Sequence, residues 1–224
     1  MKKQKTIIAI LVVVAIIVIG VVLFLVYRDI SAKNKLTEEI NSLSETNINM
    51  EIKTSGQYGI VEKLVKEDFK SYYDSINTLR ENYDEVANIK ALNIENYKND
   101  GPEFNTTLET LNTIKTEDQN LIATLNDLID ETKIDEKAAN NGLKGKYVQE
   151  YKDILAQIKL ADGVNKIKET DAKFDGYLNS LIDVLTYMKD NKDVWFIEND
   201  TLKSNSQTFI DEYNKKVDQT NIEL

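Results

Sequence analysis

The feature that most constrains this chain is the run from Ile7 to Tyr27, 21 consecutive residues with no charge and no strongly polar side chain. As a helix rising about 1.5 Å per residue it would cover about 31 Å, the thickness of a bilayer's hydrocarbon core. It has no polar face, so an amphipathic surface helix is excluded. The run predicts a membrane span. Its length exceeds the roughly 7–15 apolar residues of a cleavable leader, and Ile30-Ser31-Ala32 matches a cleavage site poorly. An uncleaved signal anchor is therefore expected. Lys2, Lys3 and Lys5 precede the span; Arg28, Lys33 and Lys35 follow it. Counted alone these nearly balance, but the first set crowds into five positions. The expected orientation is a cytoplasmic amino terminus with the rest of the chain outside.

The remainder is polar and helix-patterned. The expected organisation is a cytoplasmic tail at 1–6, the signal anchor at 7–27, a helical stalk and linker at 28–56, and a soluble helical bundle at 57–224. One proline and eight glycines in 224 residues leave few points at which helices can stop. Val61, Val65, Phe69, Tyr72, Ile76, Leu79, Tyr83 and Val86 form a heptad-like stripe over 60–90, with charged residues between them reading as a wet face. A turn at Asn99-Asp100-Gly101-Pro102 places Pro102 at the first position of a helix over 103–132. That helix's stripe is interrupted at Glu117-Asp118, which predicts a kink or a wetter patch. Residues 133–142 read as a connection. Residues 143–190 read as one long bent helix or two, divided at Ala161-Asp162-Gly163, and 194–219 as a last helix. The fold class is all-α: a single amino-terminal transmembrane helix followed by an elongated antiparallel four-helix bundle.

Composition excludes several functions. With three lysines ahead of the span, the remainder carries 25 basic against 38 acidic side chains, a net of −13. That argues against nucleic acid as a partner. There is no histidine and no cysteine. Ser-His-Asp and Cys-His catalysis and nearly all zinc, copper and haem sites are thereby removed. No phosphate-cradling or dinucleotide-binding glycine motif is present. No catalytic residue, cofactor or metal site is expected. The acidic groups Glu81/Asp84/Glu85, Asp127/Asp130/Glu131 and Glu198/Asp200 read as solvated helix faces, and a carboxylate-based enzyme as the least favoured function.

Two aromatic features remain. Phe69/Tyr73, Tyr147/Tyr151 and Phe209/Tyr213 repeat an i,i+4 spacing, which core filling explains more readily than a ligand groove. Trp195, Phe196 and Ile197 form an apolar cluster in polar sequence: a bundle cap, or an exposed anchor for a partner. The expected function is a membrane-anchored, extracytoplasmic structural or accessory protein of a bacterial cell envelope, of the Gram-positive type. It would hold the lipid bilayer through residues 7–27 and act by protein–protein interaction. The alternative is a ligand-binding or sensory module that signals through a partner.

Overall fold

The computed structural model describes the backbone of residues 2–221 and the side chains of residues 20–221. Eight helices and one hairpin make up the described residues: α1 (Lys2–Asn41), α2 (Gly56–Ile89), α3 (Ile94–Asn99), α4 (Asn105–Asp127), α5 (Glu131–Asn140), α6 (Lys146–Gln157), α7 (Leu160–Asp190), β1 (Trp195–Glu198), β2 (Thr201–Ser204) and α8 (Gln207–Asp218). The chain is mostly helical, as its periodicity predicts. Among the described residues no helix is long and apolar enough to cross a membrane. The side chains of Lys2, Lys3, Lys5 and Ile7, and of the expected span as far as Ile19, lie outside the described residues.

The chain divides into two compact units. The first comprises Met1–Lys70 with Asp135–Leu155, the second Ser71–Ile134 with Ala156–Leu224. In the first unit, Leu36 and Ile40 of α1 are buried, as are Val61, Leu64 and Val65 of α2 and Tyr151, Ile154 and Leu155 of α6. The residues after the apolar run, expected as a stalk, thus carry part of this unit's core. In the second unit, α4 and α8 pack along α7. Its main core gathers Phe104, Leu111 and Ile114 with Phe174, Leu178, Leu181, Leu185 and Met188, closed by Trp195 and Phe209.

The stripe over 60–90 forms α2, but its wet face is not uniformly wet. Glu62, Lys66 and Asp68 are buried along with Val61 and Val65. The long helices expected elsewhere are divided by local capping. Asp130 accepts hydrogen bonds from the N–H groups of Thr132 (2.8 Å) and Lys133 (3.1 Å), which starts α5 at the end of the expected helix and carries it through most of the expected connection. Asp100 does the same for Thr106 and Thr107 ahead of α4. Pro102 consequently lies before that helix rather than at its first position. The Gly101–Pro102 peptide bond is cis. The division within 143–190 falls at Lys159, which takes a left-handed conformation (φ 54°), and not at Gly163. Gly163 lies inside α7, where a Cβ would run into the Tyr72 hydroxyl, so the glycine makes room for a ring instead of a bend.

The last expected helix is corrected most. Trp195–Glu198 and Thr201–Ser204 form an antiparallel hairpin in register Trp195↔Ser204. Its two turn residues, Asn199 (φ 50°) and Asp200 (φ 56°), are both left-handed, as a tight two-residue hairpin turn requires. Helix α8 starts only after Ser206, whose hydroxyl accepts from the Phe209 N–H at 3.2 Å.

Gly101 offers a direct test of this packing. A Cβ there would meet the Tyr97 carbonyl, with the rings of Phe104 and Trp195 each at 3.2 Å. Gly101→Ala should lower stability by about 1–3 kcal/mol in denaturant unfolding of the detergent-solubilised chain. An unchanged midpoint would show that this corner can yield.

Candidate functional site

A groove of about 620 Å³ opens in the first unit beside the end of the apolar run. Leu25, Val26, Arg28, Asp29, Ile30 and Ala32 of α1 line one side. Ser55, Gly56, Gln57 and Tyr58 at the start of α2, with Tyr147 of α6, line the other. The wall opposite α1 is held by specific contacts. Gln57 donates to the Gly142 carbonyl (3.2 Å) and accepts from the Lys144 N–H (2.9 Å). The Tyr58 and Tyr147 rings meet edge to face at 5.0 Å. Asp29 accepts from Lys146 Nζ at 2.6 Å and from the Tyr147 hydroxyl at 3.2 Å. The Lys146 hydrogen bond, with the charge behind it, holds the Asp29 carboxyl below its usual range. Lys33, one turn on, is bound by Glu150 at 2.8 Å. Arg28 is exposed and makes no ion pair among the described residues.

The first unit also holds a charged network almost without access to water. Lys66 and Glu62 are both fully buried. Lys66 Nζ donates to Glu62 Oε1 (2.6 Å), to the Glu51 carbonyl (2.6 Å) and to Glu39 Oε2 (3.4 Å). Three donors for three acceptors leave the ammonium satisfied. Glu62 also accepts from the N–H groups of Lys53 and Thr54 and from the Thr54 hydroxyl. Burial alone would raise the Glu62 pKa; the hydrogen bonds of Lys66, Thr54 and the backbone outweigh it and bring the carboxyl below its usual range. Asp68, two residues beyond Lys66, is 2% exposed and accepts from Lys137 Nζ (2.6 Å) and the Tyr151 hydroxyl. Its desolvation prevails, and its pKa is raised.

The second unit buries one carboxylate less completely matched. Asp118 of α4 accepts from Asn82 Nδ2 at 2.8 Å through Oδ1, while its buried Oδ2 has no partner. Burial, aided by the nearby Asp171, Glu117 and Asp175 carboxylates, pushes its pKa up to about 6, while the Asn82 hydrogen bond opposes the shift. Asp171 of α7 accepts from the Tyr83 hydroxyl at 3.3 Å, and burial raises its pKa too. The helix α4 passes through Asp118 without interruption, so the gap in its stripe is a buried acid and not a kink. Leu111, Ile114, Asp118, Leu121 and Leu125 keep 3-4-3-4 spacing, the one sequence signal that could have placed Asp118 inside. Among the described residues no group of three acidic side chains is placed to hold a metal ion.

The acidic groups singled out in the sequence lie at the surface: Glu81, Asp84, Glu85, Asp127, Asp130, Glu131, Glu198 and Asp200 are all exposed. The Trp195 cluster separates across its strand. Trp195 is buried, stacks on Phe104 at 6.0 Å and donates from Nε1 to the Met188 carbonyl at 2.7 Å. Phe196 points out at 43% exposure, and Ile197 is half-buried. Of the aromatic pairs, Phe209 stacks between Tyr187 and Tyr213 in the core, and Tyr151 is buried on Asp68, while Tyr147 faces the groove.

Two outcomes test these assignments. Lys66→Met leaves Glu62 buried without its cation and should cost about 3–5 kcal/mol in chemical unfolding; adding Glu62→Gln should recover part of it. For Asp118, the unfolded carboxyl titrates near 3.8 and the folded one near 6. The folded chain therefore binds this proton more tightly, and ionisation above pH 6 costs stability that returns as pH falls through 6. Asp118→Asn should unfold later than the native chain at pH 7.5, by up to about 3 kcal/mol, and the difference should shrink at pH 5. A difference independent of pH would exclude the titration. In comparisons with known proteins, no family model matches this chain, and no curated protein or solved structure matches it significantly.

Proposed function

We propose that this chain is a membrane-anchored helical-bundle protein of a bacterial cell envelope, its domain outside the membrane, acting by binding a protein partner rather than by catalysis. The apolar segment from Ile7 to Tyr27 carries the proposal. Where its side chains are described, Val21 to Tyr27 are between 49% and 72% exposed, seven consecutive large apolar residues. A row of that kind facing water would be strongly unfavourable, and a bilayer would cover it. Helix α1 continues from the segment into the first unit, where Leu36 and Ile40 are buried, so the anchor and that unit share one helix. The three lysines before the segment favour a cytoplasmic amino terminus. For the partner, the hairpin offers Phe196 at 43% exposure, with Val194 just before it at 38%.

Cell fractionation tests the anchor. The chain should stay in the membrane pellet through an alkaline carbonate wash, and protease added to intact cells should digest the domain. Release by the wash would overturn the anchor, and protection of a domain that is cut once purified would overturn the orientation. Phe196→Ser should then weaken partner capture from solubilised membranes without lowering the unfolding midpoint.

A further inference from the structure

We propose that the groove beside residues 25–32 binds the head group and glycerol region of a phospholipid from the membrane that holds α1. The inference rests on the anchored reading above. With the span ending at Tyr27, residues 28–32 rise from about 1.5 to about 8 Å beyond the hydrocarbon core, through the head-group layer. The groove's lining combines Leu25 and Val26, from the apolar run, with Arg28 just beyond it and with Gln57, Tyr58 and Tyr147. A phospholipid joins the same two chemistries, apolar chains and a polar head, and tyrosine is a preferred side chain at the interface between them.

The charges select the ligand further. Asp29 is neutralised by Lys146 and bonded by Tyr147, and Lys33 is neutralised by Glu150. The guanidinium of Arg28 is the charge left over among these side chains. A guanidinium at a wet, amphipathic groove suits a phosphate diester, which it can hold through two parallel hydrogen bonds. The far wall is set before any ligand arrives, because Gln57 is bonded on both sides of its amide and Tyr58 is braced by Tyr147. A preformed wall lowers the ordering cost of binding. The volume of about 620 Å³ is in the range of small-molecule sites.

The test is native mass spectrometry of the full chain, delipidated in detergent and given dioleoyl phosphatidylglycerol. One phospholipid per chain should be retained, and Arg28→Gln should weaken retention about tenfold, with Arg28→Lys between the two. Dioleoylglycerol, which lacks the phosphate, should not be retained, and millimolar inorganic phosphate should not displace the lipid. Equal retention by Arg28→Gln, retention of dioleoylglycerol, or displacement by phosphate alone would each overturn the proposal. So would a chain that resists the alkaline wash yet holds no discrete lipid, and that result would leave the anchor standing. A chain released by the wash would instead remove the anchor on which the proposal rests.

Discussion

A fully buried ammonium sets the terms for the first unit. Lys66 has lost its water, and several kcal/mol of desolvation must be offset by partners in good geometry. Those partners come from three separate segments: Glu39 near the end of α1, the Glu51 carbonyl in the connection, and Glu62 one turn earlier on α2. None can move away without leaving charge unmatched. Glu62 in turn holds the N–H groups of Lys53 and Thr54, so the irregular stretch before α2 has its backbone bonded as well. The helix that leaves the apolar run is thus fixed into a folded unit instead of standing as a polar stalk. Asp29 and Lys33 extend the same fastening toward the run through Lys146 and Glu150. A docking groove beside residues 25–32 needs that rigidity, since a freely swinging helix would not keep a wall opposite Tyr58 and Tyr147.

The second unit treats buried charge differently. Its core is aromatic and aliphatic, with Trp195, Phe104 and Phe209 closing around α7. Where it buries an acid, it supplies an amide and no cation. Asp118 has Asn82 on one oxygen and nothing on the other, with Asp171 and Asp175 facing it from α7 and Glu117 beside it on α4. The group is therefore poised to take up a proton at mildly acidic pH, whereas Glu62 has the Lys66 ammonium bonded to it at 2.6 Å. One unit spends hydrogen bonds to keep a charge buried; the other leaves a buried charge that protonation relieves.

Legibility in the sequence followed the range of the interaction involved. The α2 stripe was readable because the apolar spacing of 3 and 4 is a property of neighbouring residues. The caps at Asp100 and Asp130 are present in the sequence, but the second falls inside a stretch whose apolar stripe reads as one continuous helix to 132, so the stripe hides the start of α5. The hairpin was read as helix because Asn199-Asp200 lacks the glycine that usually announces a two-residue turn, though both residues tolerate the left-handed conformation it needs. Lys66 and Glu62 looked like wet-face residues since nothing in their spacing tells a paired buried charge from a solvated one. The groove had no sequence signature at all: its walls come from positions 25–32, 55–58 and 147.

By itself the sequence determined the helical class, the apolar run at 7–27 and the lack of histidine and cysteine chemistry, because each depends on residue type and short-range periodicity. Only the tertiary structure decided which charges are buried, which of them are matched, and which side chain of the Trp195 cluster faces out. Those outcomes depend on desolvation, and desolvation is set by partners that lie as far apart in the chain as Asp29 and Lys146.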